Sequence, residues 1–369
     1  MSTRARPTPP TTPTPGGALS TLRKTGRWIT ALLAAALLLT ACGGGDEPDS
    51  AASGAASDGP AAGGATELSF AHSYGTDHPH HRCGVQAIAD RVNEQDTGVT
   101  IEVFPNSQLG ADADRFTSVM SGDIDLDLQG SSALAASYEP IGILDSVYVV
   151  DGADHLFEFF ESPESEQLEE EFLQETDTRI LGAYFFGMRH FTANEPIRTP
   201  DDLAGLRMRF PDTPVYLRNA EALGAEATAV AFEEVFLSLQ QGVIDGQENP
   251  IPTIASLNLP EVQSHVSLSG HQTGSQLIII SETVWQEMTP EQQEALQTAV
   301  DETRDENRAC IEEDEQTYVD EWTSSGTMEV VEDVDRDAFR DRALQFFDEN
   351  LEGTERELYD AIRASAPTS

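Results

Sequence analysis

Lysine is almost absent from this chain of 369 residues, in which Lys24 is the only one. Lysine and arginine together number 21, against 65 aspartates and glutamates. Five of those bases precede residue 42, where there is no acid, so the rest of the chain carries 16 arginines against all 65 acids. A chain this acidic repels nucleic acid and anionic lipid, so the composition excludes both as expected partners.

The chain also lacks an apolar run of the ~20 residues that a membrane-spanning helix needs. The run at 28–39 (WITALLAAALLL) follows a basic segment and leads through small residues to Cys42, as in a secretory signal. The ending Leu39-Thr40-Ala41-Cys42 is similar to the lipobox of bacterial lipoproteins, whose cysteine is acylated. We expect residues 1–41 to be a lipoprotein signal peptide and the exported chain to be anchored through Cys42 to the outer face of the cell membrane. A plain membrane anchor is the alternative.

Residues 42–66 consist mainly of Gly, Ala, Ser, Asp and Pro, which predicts a flexible tether. About 300 residues follow, enough for two domains with their own cores. Apolar and polar residues alternate at 67–71 and 100–105, which predicts strands. Between and after these segments apolar residues recur at helical spacing. Strands that alternate with helices predict an α/β fold.

Cysteine is scarce, and only Cys83 and Cys310 follow Cys42. In an exported chain such a pair is a disulfide candidate. Cys310 falls on the apolar side of a long predicted helix that starts with a capping box at Thr289, so a buried free thiol is the alternative.

Catalytic and metal-binding motifs are missing. The chain has no GxSxG, no phosphate-binding glycine loop and no HExxH. His72, His78, His80 and His81 lie close together without the further ligands of a zinc site, and a Cys83–His pair would lack a third, orienting group. The sequence therefore predicts no metal, no cofactor and no enzymatic activity.

Because bases are few, the positions of the arginines are informative. Arg189 follows an apolar strand at 180–186, and Arg207 and Arg209 alternate within LRMRF, so these two share one strand face. Such arginines can simply pair with surface acids. A strand-borne arginine beside a cleft can instead hold a carboxylate bidentately.

Three stretches occur together: IEVFPNSQLG (101–110), TPDDLAGLRMRFP (199–211) and AFEEVFLSLQQGVIDGQENP (231–250). From residue 67 to about 345 the chain thereby resembles the DctP-like solute receptors of TRAP transporters. The resemblance implies an α/β, two-lobe periplasmic-binding-protein-like fold with mixed sheets, hinge strands and a long helix bridging the lobes. We place lobe 1 at 67–186, with 275–369 returning to it in part, and lobe 2 at 187–274.

The resemblance also implies a ligand site. Arg209 would form the main ion pair with a ligand carboxylate, Arg189 would assist, Asn249 would donate a hydrogen bond and Phe232 would supply an apolar wall. The other lobe would contribute Ser73, Gln129 and Ser131.

Within VIDGQENP, Asp245 and Glu248 are expected to be structural, because a bound carboxylate needs donors rather than further acids. Gly130 and Ser131 depart from the charged residues that sugar-acid receptors often carry there. The end of the ligand away from its carboxylate is therefore left open by the sequence.

From this resemblance we expect a lipid-anchored receptor that closes around a small organic acid anion and delivers it to the membrane subunits of a TRAP transporter. The alternative is a sensor that signals to a membrane kinase or chemoreceptor without transport. A secreted hydrolase has the least support, since no nucleophile–base pair is visible.

Overall fold

The computed structural model describes residues 66–367. The signal peptide at 1–41, the acylated Cys42 and all of the tether except Thr66 lie outside the described residues and remain predictions. Thr66 already belongs to the first strand, because its amide donates to the carbonyl oxygen of Gly98 at 2.7 Å. The first strand thus begins one residue earlier than predicted.

Strands of residues 66–367 form one mixed sheet. They are β1 (Thr66–His72), β2 (Val99–Phe104), β3 (Leu126–Gln129), β4 (Thr178–Ala193), β5 (Arg207–Phe210), β6 (Glu226–Ala229), β7 (Gly246–Pro250), β8 (His265–Ser281) and β9 (Glu329–Val331). Their order is β2-β1-β3-β8-β4-β7-β5-β6, and β9 pairs with β8.

Helices surround this sheet. They are α1 (Gln86–Glu94), α2 (Asp112–Ser121), α3 (Ser131–Leu134), α4 (Ala153–Phe160), α5 (Pro163–Thr176), α6 (Pro214–Leu223), α7 (Val235–Gln240), α8 (Ile251–Ser256), α9 (Glu282–Glu287), α10 (Pro290–Ser325), α11 (Arg336–Asn350) and α12 (Gly353–Ala364). A π-helical segment spans His80–Val85, and 3-10 segments span Glu139–Asp145, Pro200–Leu203, Phe232–Glu234 and Leu259–Glu261. Among the helices of residues 66–367, none has both the length and the apolar character needed to cross a bilayer.

Two long antiparallel strands, β4 and β8, connect the ends of the sheet. Parallel pairs lie at one end, where β1 pairs with β2 and β3, and at the other, where β5 pairs with β6 and β7. The predicted α/β fold with mixed strands and a long helix is confirmed, although the strands form one continuous sheet. The bounds of the two lobes remain a prediction.

The apolar run at the end of β8 is buried on both sheet faces. Leu277 and Ile279 pack into a core with Phe116, whereas Ile278 and Ile280 pack into a second core with Leu296 of α10. A strand covered on both faces has no need of polar alternation, which explains the continuous run.

Local signals account for the helix ends. The side chains of Thr289 and Gln292 form the predicted capping box, and α10 ends at Ser325, where Gly326 with a φ of 71° forms the C-cap. The acidic segment after residue 152 forms two helices, α4 and α5. Ser162 caps α5, and Pro163 occupies its first position, where proline favours a new start.

The structure joins Cys83 and Cys310 by a disulfide, with the two Cα atoms 6.5 Å apart. This bond links the π-helical segment before α1 to the middle of α10. The cysteines are separated by 227 positions in sequence, so the bond closes a long loop.

Candidate ligand-binding site

A cavity of about 300 Å³ lies beside the middle of the sheet, which is a volume suited to a small solute. Six of the seven sequence-predicted ligand residues line it: Ser73, Gln129, Arg189, Arg209, Phe232 and Asn249. Ser131 is not on the wall. Its hydroxyl accepts a hydrogen bond from Ser275 Oγ at 3.0 Å, and its neighbours Gly130 and Ser132 line the cavity instead.

The polar segment GQENP forms the whole of β7, and all five of its residues are buried. It pairs antiparallel with β4 and parallel with β5. Gly246 is needed because a Cβ atom there would lie 2.8 Å from Met208 Sδ. The two flanking strands carry the two predicted arginines: Arg189 lies opposite Pro250, and Arg209 lies opposite Gln247.

Arg189 is held by the protein itself. Its Nε and Nη2 donate to the Glu248 carboxylate at 2.5 and 2.7 Å, and Nη2 also donates to the Glu248 carbonyl oxygen at 2.8 Å. Burial raises the pKa of the Glu248 carboxyl, but the adjacent guanidinium outweighs this effect, so that pKa is lowered overall. The Arg189 guanidinium also lies over the rings of Phe186 and Tyr216, at 5.5 and 5.1 Å. Its charge is thus already matched.

Arg209 lies in a different environment. It is 2% exposed, and its Nε donates to the carbonyl oxygen of Val230 at 2.8 Å. Within residues 66–367 no carboxylate forms an ion pair with it. Desolvation lowers the pKa of its guanidinium to about 10. Arg209 is therefore a buried cation on the cavity wall whose charge lacks a paired anion in that part of the chain.

Arg207, on the same strand, shows the other expected role of such arginines, which is to pair with a surface acid. Its guanidinium donates to the Asp245 carboxylate at 2.8 and 2.6 Å at the protein surface. Asp245 and Glu248 both act structurally, as expected, each by holding one arginine.

Asn249 belongs to a chain of side-chain hydrogen bonds. Its Nδ2 donates to Gln247 Oε1 at 2.5 Å, and Gln247 Nε2 donates to Thr192 Oγ1 at 3.1 Å. Because Nδ2 carries two hydrogens, one remains for a ligand.

On the opposite wall an arginine that the sequence analysis did not single out organises the site. Arg115 is fully buried, and its Nε lies 3.1 Å from each oxygen of the buried Asp127. Its Nη1 donates to Ser73 Oγ at 3.0 Å, and its Nη2 donates to Asp112 at 2.9 Å. The Ser73 hydroxyl donates in turn to Asp112, at 2.5 Å. Ser73 is therefore fixed by this ion-pair network.

Two glutamines and an aspartate supply acceptors on the same side. Gln129 Nε2 donates to the Asp112 carbonyl oxygen at 2.8 Å and to Asp127, but its Oε1 has no partner within residues 66–367, and the same is true of Gln276 Oε1. Asp145 accepts from the Ser132 amide at 2.9 Å, and burial raises its pKa. Gln276 was not among the predicted ligand residues, although it belongs to β8 (His265–Ser281). The signal was the polar stretch at 265–276 that precedes the apolar run.

Aromatic rings complete the wall. Tyr74 lies 5.5 Å from Phe186 and 6.0 Å from Phe232, edge-on to the latter. Behind them the histidines of the predicted loop are packed as rings: His78 is 4.5 Å from Tyr74 and His80 is 5.4 Å from Phe186. Burial lowers the pKa of His80 to about 3, so this ring is neutral. In the described part of the chain no three His, Cys, Asp or Glu residues form a group that could hold a metal ion.

Comparisons with known proteins give a consistent result. The profile of the DctP family, described as bacterial extracellular solute-binding protein, family 7, matches residues 70–353. The sialic acid-binding periplasmic protein SiaP of Vibrio cholerae is 31% identical over 240 residues, which cover 65% of this chain and 75% of that protein. The C4-dicarboxylate-binding periplasmic protein DctP of Rhodobacter capsulatus is 27% identical over 83% of this chain and 92% of its own length. A TRAP periplasmic solute binding protein from Roseobacter denitrificans with bound L-galactonate has a TM-score of 0.75 and 29% identity, over 81% of this chain and 99% of that one.

Proposed function

This chain belongs to family 7 of the bacterial extracellular solute-binding proteins, the DctP family, and from that premise we propose that it captures a small organic carboxylate. It is a solute-binding protein of the TRAP type and not an enzyme. The relatives named above bind acids: sialic acid, a C4-dicarboxylate and L-galactonate. The ligand proposed here has the same acidic group.

The observation that carries the proposal is the environment of Arg209. A buried guanidinium without a paired anion is costly, and a carboxylate placed against its two terminal nitrogens removes that cost by a bidentate, charge-assisted interaction. Asn249 adds an amide donor on the neighbouring strand, and both residues line the cavity. Arg189, already paired with Glu248, contributes its ring-stacked plane and its remaining Nη1 rather than an unmatched charge.

We further propose that the receptor acts by closing two lobes around the acid and that Cys42 anchors it by lipid to the outer face of the membrane. Contacts beside the cavity between the two predicted lobes support closure. Ser107 Oγ donates to Glu233 Oε1 at 2.7 Å, across 126 positions in sequence, and the Tyr74 ring meets the Phe232 ring. The receptor would then deliver the acid to the membrane subunits of a TRAP transporter.

Thermal unfolding of the soluble part, from residue 43 onward, tests the carboxylate. We expect one class of organic acid to raise the melting temperature while its neutral amide or alcohol analogue does not. At a hundred times its dissociation constant a ligand adds ~2.7 kcal/mol to the free energy of unfolding. Equal stabilisation by the neutral analogues would refute the assignment of Arg209.

Lipid anchoring is tested separately in cells. We expect radiolabelled fatty acid to be incorporated into the full-length chain and the Cys42→Ala variant to lose the label. A labelled Cys42→Ala variant would exclude this cysteine as the anchor.

A further inference from the structure

Two acceptor groups on the cavity wall lack donors. Gln129 is 1% exposed and Gln276 is 4% exposed, and the Oε1 atom of each has no hydrogen-bond partner within residues 66–367. A buried polar atom without a partner is uncommon in native proteins and costs stability. An amide oxygen only accepts hydrogen bonds, so the missing partners are donors.

The carboxylate of Asp145 lies on the same wall and also only accepts. Its Oδ2 accepts from the Ser132 amide at 2.9 Å, and its Oδ1 accepts from Ser275 Oγ at 3.1 Å. Asp145, Gln129 and Gln276 all line the cavity. A ligand carboxylate beside their acceptor oxygens would meet lone pairs and a negative charge, whereas ligand hydroxyl groups could donate to them.

A count of the buried charges leads to the same conclusion. The guanidinium of Arg189 is matched by Glu248, and that of Arg115 is matched by Asp127 and Asp112. Arg209 is the cation of this wall that forms no ion pair within the described residues. One unmatched cation accommodates one carboxylate, and a second would be buried without a counter-charge.

We propose that the ligand is a monocarboxylate bearing several hydroxyl groups, with its carboxylate on Arg209 and its hydroxyls donating to Gln276 and Gln129. A dicarboxylate of the same chain length would bury a second negative charge for which this wall has no unmatched cation. This inference rests on the proposed function, because it assigns further groups of the same site. It makes Gln276 and Gln129 the residues that determine specificity.

Calorimetric titration of the soluble part tests the ligand class with matched acids of four to six carbons. The panel comprises aldonates, the aldarates that carry a second carboxylate, the unsubstituted alkanoates, the α-amino acids and the neutral alditols. We expect an aldonate to bind at least tenfold more tightly than its aldarate and its alkanoate. Tighter binding by an aldarate, an alkanoate or an amino acid would overturn the inference while leaving a carboxylate receptor in place. If no acid of the panel binds, and the Arg209→Met variant gives the same result as the unsubstituted protein, the proposed function itself is overturned.

Substitution of Gln276 tests the residue itself. The Oε1 atom of Gln276 has no hydrogen-bond partner within residues 66–367, and methionine preserves the length of the side chain without its polar atoms. We expect Gln276→Met to weaken the hydroxy acid about tenfold, the loss of roughly one hydrogen bond, with no change for the alkanoate. An unchanged ratio of the two affinities would contradict the assignment.

Gln272 offers a control on the same strand. Its Nε2 donates to the Tyr216 hydroxyl at 2.9 Å, and its Oε1 lies 3.3 Å from Asn219 Nδ2. We expect Gln272→Met to lower the melting temperature of the ligand-free protein, because it leaves these partners unsatisfied, and Gln276→Met to leave it unchanged or raised. A fall in melting temperature with Gln276→Met as large as that with Gln272→Met would show that Gln276 is a structural residue, which would overturn its role in specificity.

Discussion

Replacing each of the two buried cavity arginines by methionine should change the stability of the ligand-free protein in opposite directions. Arg189 and Arg209 are both 2% exposed and lie on strands that flank β7. They differ in their partners, since Arg189 is paired with Glu248 whereas Arg209 donates to a backbone carbonyl. The pair of substitutions therefore separates a structural cation from one kept for a ligand.

The magnitude for Arg209 follows from its pKa. Burial lowers this pKa from 12.5 to about 10, which corresponds to at most ~3 kcal/mol of destabilisation at neutral pH, where the group is charged in both folded and unfolded states. Because the folded state lowers the pKa of this base, the charged guanidinium reduces the free energy of unfolding at every pH below about 10. The reduction becomes smaller only as the pH rises above that value. Arg209→Met removes this penalty along with one hydrogen bond to Val230. We expect a gain of about 1–2 kcal/mol in the free energy of unfolding.

For Arg189 the sign is reversed. Arg189→Met removes the ion pair of the fully buried Glu248 carboxylate, which keeps His271 Nε2 at 3.5 Å. Orphaning one partner of a buried ion pair costs ~3–5 kcal/mol. The surface residue Arg207 provides the control, because its pair with Asp245 is solvated and Arg207→Met should change stability little.

Urea unfolding followed by circular dichroism measures these differences in free energy for the ligand-free proteins. The same titrations with the bound acid should show a stabilising effect of ligand that Arg209→Met abolishes. A loss of stability with Arg209→Met comparable to that with Arg189→Met would refute the reasoning, because Arg209 would then be a structural residue.

Three further predictions concern the scaffold around the site. Burial lowers the pKa of His72 and of His80 to about 3, so the folded state keeps both rings neutral. Stability is therefore lost as the pH falls below the unfolded value near 6.5, and from pH 7 to pH 5 each ring should contribute a loss of ~2 kcal/mol. In urea titrations at the two pH values, His80→Leu should lessen the fall in the free energy of unfolding by ~2 kcal/mol. Reduction of the Cys83–Cys310 disulfide, whose cysteines are 227 positions apart, should lower the free energy of unfolding by at most ~5 kcal/mol, and no change in the urea midpoint with reductant would contradict it. Ser107→Ala removes the hydrogen bond to Glu233 between the two predicted lobes. It should raise the dissociation rate of the acid a fewfold in stopped-flow measurements, with little effect on the melting temperature of the ligand-free protein. An unchanged rate would show that this contact does not hold the lobes closed.

The amino-acid sequence by itself determined the features that depend on neighbouring residues. The capping box at Thr289 and the alternation of strands and helices were both predictable, because each depends on local spacing. The resemblance in three short stretches then placed Arg209, Arg189 and Asn249 on one site, and the structure brings all three to one cavity.

Only the tertiary structure decided what those residues are able to do. GQENP is polar, and its local signals are those of a turn, yet it is a buried strand because β4 and β5 supply hydrogen bonds on both sides. The Arg189–Glu248 pair spans 59 positions, and Gln276 meets the cavity because β8 lies between β3 and β4. Local propensity carries no information about such distant neighbours. Which arginine is left without a carboxylate, and which amide oxygen without a donor, is therefore a property of the strand order.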